Sequence, residues 1–524
     1  MSEFEHLSLA ELVKRGAASS PDFDVLKFVY PGTEGGLHHQ ARSYLELWRK
    51  GQLLAGAISH LGVTGNVALM MNNHPEFVET MVACSLLAVP FVPIDPRAMG
   101  DKLAYMLDHT DCEGLICADY CLEQVLAVCA DLPPLRWILC VNETPGRAPV
   151  CREGLQVLDY HQTLVAADPL REMLERAGDT PMFMMFTSGT TGNPKAVVFS
   201  QRQYMGMADS LKKLAIGSND VLYTGLSLTH INAQNFLRNG LALGVPTVIS
   251  RKFTKSRLWQ ICRQYRCTIF SLLGGMIPEV FAMPEQEGDA ANSVRLIMSS
   301  GMPAHLWQDF ERRFGVSICE GYGATEGGSL GNPPGVGPVG SIGKPGHDWE
   351  AEILDERGQV CPPGVEGEIC FRRRDGQAIT LNYYKNPGAS SEKVRDGWLH
   401  MGDLGHKDVQ GWFFFHHRAG GGVRRNGDFV NTRLVESVLL KSGQVDDVFV
   451  YGVATSGNIA GEKTLVAALV PRDGSEFSES VLHEYCKTAL EKNDVPERFQ
   501  VLDAIPKTAS EKPIEKACIA LLSL

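Results

Sequence analysis

The sequence predicts an α/β protein with a large N-terminal domain of parallel sheets covered by helices. A small barrel-like region and then a small α+β C-terminal domain follow it. Three observations carry that reading. Strand-like and helix-like runs alternate along most of the chain before Gly337, the pattern of parallel sheets with helical crossovers. After Gly337 the texture changes to glycines, prolines and short alternating runs, which read as antiparallel strands. Arg418 to Gly427 is rich in glycine and arginine and reads as a linker. About a hundred residues follow it, enough for a small domain.

In chain order, Asn66 to Met71 reads as a strand, Pro75 to Leu87 as a helix opened by proline, and Val89 to Ile94 as the next strand. Gly114 to Cys117 and Trp137 to Val141 repeat that βαβ unit, with helical segments between. The pattern continues through Val221 to Leu226, Pro246 to Ser250, Thr268 to Leu272 and Arg295 to Ser299. Several of these runs are apolar throughout, as strands covered on both faces are. Beyond Gly337, Trp349 to Leu354 and Gly367 to Phe371 supply the short strands of the barrel-like region.

A chain of 524 residues is too long for one core. Apolar residues at 44% and charged residues at 21% describe an ordinary globular protein, and the net charge of −12 argues against nucleic acid or anionic membrane as a general partner. Met1 to His6 has neither a basic nor an apolar signal region, and no apolar run reaches the ~20 residues that span a bilayer. The fourteen cysteines show no paired metal spacing and no disulfide-scaffold density, so reduced thiols and a cytoplasmic setting are expected.

The most informative run is Phe186-Thr187-Ser188-Gly189-Thr190-Thr191-Gly192-Asn193-Pro194-Lys195. Glycines let a loop approach an oxyanion and present backbone N–H groups, hydroxyls add donors, and Lys195 brings a mobile positive charge. No Ser or Thr follows the lysine, so this is not the G-x-x-x-x-G-K-[ST] loop, and phosphate binding is preferred over a flexible Gly/Ser/Thr surface loop. The run closely resembles the phosphate loop of the adenylate-forming superfamily: acyl-CoA synthetases, peptide-synthetase adenylation domains and luciferases. Further motifs of that family follow in order, so the resemblance covers most of the chain.

Gly321-Tyr322-Gly323-Ala324-Thr325-Glu326 is similar to the family's Y-G-x-T-E motif. The resemblance implies a Tyr322 ring stacked on adenine, a Thr325 hydroxyl on a phosphate, and Glu326 as an oxygen ligand for Mg²⁺. Glu320, Gly321 and Gly301 would complete the nucleotide's surroundings. Trp398 to Leu404 resembles the T-G-D segment, with Met401 in place of threonine; Asp403 would accept from the ribose hydroxyls and Arg418 would reach the same sugar. Pro506 to Lys512 resembles P-x-T-x-x-G-K, which makes Lys512 the catalytic lysine although Glu511 stands where glycine is commonest.

What the resemblance implies is an acid–thiol ligase. A carboxylic acid and MgATP give acyl-AMP and pyrophosphate, the small domain then rotates, and coenzyme A takes the acyl group. The domains would be residues 1–417 and 423–524, with a hinge at 418–422. There Gly421 replaces the usual Asp or Lys pivot, and glycine tolerates large backbone changes. Arg424, Arg425 and Gly427 are candidate CoA contacts; for the two arginines, exposed solvating side chains are the alternative. The acid pocket would be built from His230, Ile231, Asn235 and Arg238, from Gly275 and Met276, and from Ser300 and Gly323.

The stretch His230 to Gln234 is nearest the carnitine and crotonobetaine ligases, and its amides with Arg238 suit a small or polar acid better than a fatty chain. Arg238 is expected to recognise a second carboxylate or another polar group at the acid's far end or, alternatively, to form a surface salt bridge. Two rival readings stand beside this one: loading of a carrier-protein thiol, and nucleotide binding without catalysis. A homodimer is compatible with the sequence.

Overall fold

A computed structural model describes residues 2–32, 35–129, 132, 135–143, 154–174, 178–187, 193–274, 276–418, 423–426, 428–454, 462–472, 477–506 and 513–522. The first half centres on a seven-stranded sheet. From one edge its strands run Gln156–Asp159, Trp137–Val141, Cys112–Ala118, Asn66–Met70, Phe91–Pro93, Pro181–Thr187 and Lys195–Ser200. All neighbours are parallel except the last pair, which is antiparallel and carries the phosphate-loop motif at its turn.

A nine-stranded sheet faces it. Its parallel centre is Ser317–Ala324, Leu296–Ser300, Ile269–Leu273, Leu222–Thr224 and Thr247–Ser250, and Asp24–Pro31 joins on the far side. Helix Pro75–Leu87 is buried along its whole length. Proline pre-sets its first turn, and the left-handed Ala88 ends it at φ 58°. Its polar residues Glu76, Glu79 and Thr80 are buried too, and Glu79 is paired with Arg42 at 2.7 Å. The helix packs in a core that also holds Phe28 and Ile249 of one sheet and Val67 and Phe183 of the other.

Trp349–Leu354, Gly367–Arg373, Trp398–Lys407 and Phe413–Arg418 form an antiparallel sheet, the predicted barrel-like region. The C-terminal part has its own core on a three-stranded sheet, Val445–Val453, Thr464–Pro471 and Arg498–Val501. It touches the large part through Lys102 and Glu491 at 2.8 Å and through Lys441 and Asp101. No helix among the described residues is long and apolar enough to cross a membrane. The described cysteines are all free, and most are buried.

Candidate active site

The strand Pro181–Thr187 is followed directly by the loop motif, and Lys195 pairs with Thr187 across the base of that turn. Ser188, Gly189, Thr190 and Thr191 lie outside the described residues. The Thr187 hydroxyl donates to the Lys195 carbonyl at 3.4 Å. The Lys195 ammonium sits over the ring of Tyr383, 5.3 Å from its centroid.

Tyr383 does more than carry that lysine. Its hydroxyl donates to Glu326 Oε1 at 2.7 Å. Backbone bonds from Val198 to the Asn382 carbonyl and from Tyr384 to the Ala196 carbonyl strap its segment along the strand Lys195–Ser200. One side chain therefore joins the loop lysine to the motif glutamate. Sequence reasoning missed Tyr383, because nothing in the spacing of Asn382-Tyr383-Tyr384 pairs it with a residue 57 positions away.

Tyr322 and Asp403 meet as well: the phenol donates to Asp403 Oδ2 at 2.5 Å, and the ring stacks on Phe371 at 6.3 Å. Asp403 and Arg418 are cross-strand partners in the antiparallel sheet. Behind Asp403, Glu368 accepts from the Gly402 amide at 2.8 Å and lies 2.7 Å from His400 Nδ1. Glu368, Cys370 and His400 could pass for a metal cluster. Arg395, 3.0 Å from the same imidazole nitrogen, already supplies a positive charge there. The group reads as a bracket for the Met401 to Asp403 turn.

Glu320 lies under the Gly301 turn and accepts from the amides of Gly301 at 2.5 Å and Met302 at 3.2 Å. Burial raises its pKa from 4.5 to about 7 against those two bonds. Gly301 sits at φ 94°, and its backbone crosses Gly274 so closely that a Cβ on Gly274 would fall 2.8 Å from the Gly301 carbonyl oxygen. The Gly274 amide donates to the Ser300 carbonyl. Gly275 lies outside the described residues, and Met276 opens the next short helix.

The helix Ile231–Leu243 begins at His230, whose Nε2 is 3.5 Å from Asp95 Oδ2. Burial works to raise the Asp95 pKa, but bonds from His230 and Arg97 hold it well below the usual carboxylate range. Asn235 Oδ1 accepts from Ser210, Arg238 and Asn239. Arg238 is fully buried, so the surface salt bridge expected as its alternative does not exist. Thr325, Glu326 and Gly321 are half-buried and Gly323 is exposed, at the hairpin between Ser317–Ala324 and Gly327–Gly331.

Arg425 donates to the carbonyls of Asn493 and Val495 and pairs with Glu497 at 3.1 Å, so it ties down its own hairpin. Arg424 is half-buried beside Glu462. Lys512, Gly427 and the hinge glycines 420–422 lie outside the described residues, as does the side chain of Arg418.

Residues 13–384 match the AMP-binding enzyme family, and residues 434–512 match the C-terminal domain of the same enzymes. The chain belongs to the AMP-binding enzyme family. Crotonobetaine/carnitine–CoA ligase of Escherichia coli O7:K1 is 29% identical over 488 residues, covering 90% of this chain and 92% of that relative. The corresponding ligase of Salmonella agona is 27% identical over 485 residues, with the same coverage. Among solved structures, a double mutant of o-succinylbenzoate CoA synthetase from Bacillus subtilis, bound with its product analogue, superposes with a TM-score of 0.80 at 24% identity. It covers 97% of this chain and 98% of its own. The same synthetase bound with its acyl-adenylate intermediate gives 0.65 at 23% identity over 96% and 97%. These relatives and solved structures are named as CoA ligases and CoA synthetases, and another structure of the Bacillus subtilis synthetase, at 24% identity, holds ATP and a magnesium ion.

The buried Glu320 yields a pH prediction. Its pKa is raised in the fold, so folding takes up a proton between about pH 4.5 and 7. The stabilisation is complete below that window and is lost as pH rises through it. Glu320→Gln keeps one acceptor oxygen, enough for the Gly301 amide but not for the Met302 amide as well, and removes the titration. Thermal midpoints compared at about pH 5 and pH 8 should fall less in the variant than in the wild type. Equal falls in the two proteins would refute the assignment.

Proposed function

We propose that this AMP-forming ligase acts on a small or polar carboxylic acid and passes the acyl group to coenzyme A. The observation that carries the choice of acid is the helix Ile231–Leu243. Its buried residues include Gln234, Arg238 and Asn239, with Asn235 beside them, where a fatty-acid tunnel would need hydrocarbon. Two relatives named for crotonobetaine and carnitine are in keeping with a short, polar substrate.

In the first step a carboxylate oxygen attacks the α-phosphorus and the bond to pyrophosphate breaks. The protein's task there is charge neutralisation and positioning. Lys195, held over Tyr383, would face the phosphates with the hydroxyls and amides of Thr187, Ser188, Gly189, Thr190 and Thr191, and Thr325 would donate to them. The Tyr322–Asp403 pair would orient adenine and ribose, with Arg418 opposite, and Gly301 held by Glu320 would close the adenine side. Lys512 would bridge the carboxylate and the α-phosphate.

Glu326 offers a hard carboxylate ligand of the type Mg²⁺ selects, with one oxygen already fixed by Tyr383. When bound, the ion would neutralise the triphosphate. His230, Ile231, Asn235, Gly275, Met276, Ser300 and Gly323 would surround the acid.

In the second step residues 423–524 would have turned about a hinge at 418–422, and the thiol of coenzyme A attacks the acyl carbonyl, releasing AMP. The higher TM-score to the product-analogue complex than to the acyl-adenylate complex supports reading the present arrangement as that of thiol transfer. Arg424 is the better placed of the two hairpin arginines to meet coenzyme A, because Arg425 is committed to its own domain. A cytoplasmic setting fits the free cysteines.

ATP–pyrophosphate exchange across small aliphatic, aromatic, dicarboxylic and betaine acids, followed by addition of coenzyme A, tests the whole reading. Exchange with long-chain acids alone would overturn it. Within that assay, Lys512→Ala should slow exchange by about a thousandfold, the scale of one lost charge in the transition state. It should spare thioester formation from supplied acyl-AMP; equal loss of both steps would remove Lys512 from the role. Tyr383→Phe deletes a hydrogen bond to the Glu326 carboxylate, worth about 1.5 kcal/mol, and should raise the Mg²⁺ needed for half-maximal exchange roughly tenfold. An unchanged Mg²⁺ titration would show that Glu326 does not hold the metal.

A further inference from the structure

Arg238 is among the largest fully buried side chains of the protein, and its charge is uncompensated. Only Nη2 has a partner, Asn235 Oδ1 at 2.8 Å, while Nε and Nη1 are buried with none. A guanidinium is donor-only and stays ionised, so burying it without acceptors is costly. Burial lowers its pKa only to about 10, which leaves it charged at neutrality. No carboxylate among the described residues pairs with it.

The surroundings hold that guanidinium in place without answering it. Its carbon lies 4.5 Å from the centroid of the Tyr204 ring, and the Tyr204 hydroxyl is committed to Gln234 Oε1 at 2.9 Å. Gln234 is in turn fixed to the Leu228 carbonyl at 2.6 Å. Asn235 Oδ1 already takes bonds from Ser210 and Asn239, so it has no capacity for the two open nitrogens. The frame is therefore pre-organised and incomplete.

Helical side chains lean toward the N-terminus, and the bond from Arg238 back to Asn235 shows this one doing so. Ile231, Gln234, Asn235 and Arg238 share a helix face, at spacings of three and four residues. That face leads from the guanidinium to the opening turn, where Ile231 packs in the same core as Leu273 and Met276. Two further buried polar atoms lack partners. Asn232 Oδ1, on the same helix, is buried without a partner, and so is Ser271 Oγ. Ser271 alternates in register with Ile269, which packs with Phe236 of the helix, so its hydroxyl faces this side of the sheet.

We propose that Arg238 is the specificity determinant for an anionic far end of the acid, making the preferred substrate a short dicarboxylic acid. One carboxylate would be adenylated at the phosphate loop and the other would accept from the open nitrogens of Arg238. This rests on the acid–CoA ligase reading above and narrows its substrate class. The same charge disfavours acids with a cationic tail.

The test uses the full-length protein and compares succinate, glutarate and adipate with butyrate, valerate and 4-(trimethylammonio)butyrate in ATP–pyrophosphate exchange. At least one dicarboxylate should exceed its monocarboxylate counterpart in kcat/KM by about a hundredfold, with the betaine poorest. Arg238→Met should collapse that ratio about a hundredfold, mainly through KM, and Arg238→Lys should restore part of it. A wild type that prefers valerate or the betaine overturns the proposal, as does a Met variant with an unchanged ratio.

If no acid supports exchange, the ligase reading fails, and equilibrium dialysis of the labelled dicarboxylates still decides this one. Binding by wild type that is lost in the variant supports it. No binding, or equal binding by both, overturns it. Should Arg238→Met not fold, the wild-type ranking of the acids and the ratio in Arg238→Lys decide between the same two outcomes.

Discussion

The site depends on how the segment Asn382–Tyr384 is laid along the edge strand Lys195–Ser200. Two backbone hydrogen bonds fix it there, so the Tyr383 ring lies beneath Lys195 and its hydroxyl reaches Glu326. Lys195 ends the phosphate-loop turn of the seven-stranded sheet, and Glu326 lies in a hairpin of the nine-stranded sheet. The two sheets meet face to face over a buried helix, which sets their separation without fixing which polar groups coincide. Tyr383 does that. A cation over an aromatic face and a charge-assisted hydrogen bond are each modest, but here one rigid ring supplies both and ties three segments of chain together.

A protein of net charge −12 that handles a polyphosphate has to create positive potential locally. It does so partly by withholding negative charge. Glu320 is buried and pushed toward its neutral form, whereas Asp403 and Glu368 spend acceptor capacity on Tyr322 and on Gly402 and His400. These carboxylates act as backbone and side-chain anchors. The same economy explains the Gly301 turn. A left-handed glycine at a close backbone crossing leaves two amides aimed at one carboxyl group, which holds the turn without a bulky side chain.

Much of this was legible in the sequence where periodicity and composition agree. Pro75–Leu87, Trp137–Val141 and Trp349–Leu354 have the predicted limits, because a proline start or an unbroken run leaves little choice. The run Val221 to Leu226 proved shorter, ending at Thr224. Beyond it, the Asn73 amide donates to the Leu226 and Ser250 carbonyls and Asn73 Oδ1 accepts from the Leu228 amide, so a side chain from the loop after the strand Asn66–Met70 replaces the ladder. That substitution is tertiary and has no local signal. Site residues follow the same division. Tyr322, Glu326 and Asp403 are readable because their chemistry lies in short motifs. The roles of Tyr383 and Glu368 come from partners far along the chain, and the burial of Arg238 comes from the segment Tyr204 to Ser210 that covers it.

The contact between the two parts of the chain bears on how a two-step reaction could be run. It includes the half-buried pair Lys102–Glu491 and the exposed pair Lys441–Asp101. Exposed ion pairs contribute little net stability and are screened by salt, while a partly buried pair gives direction more than strength. Each part has its own apolar core, so neither needs the other for cover. An interface of that kind specifies an orientation and releases it cheaply. Under the proposed rotation, the free-energy difference between the two orientations would then fall to the ligands, since each binds where its own contacts are complete. The phosphates and the acid would favour one arrangement and coenzyme A the other, and the protein itself would need only a shallow preference.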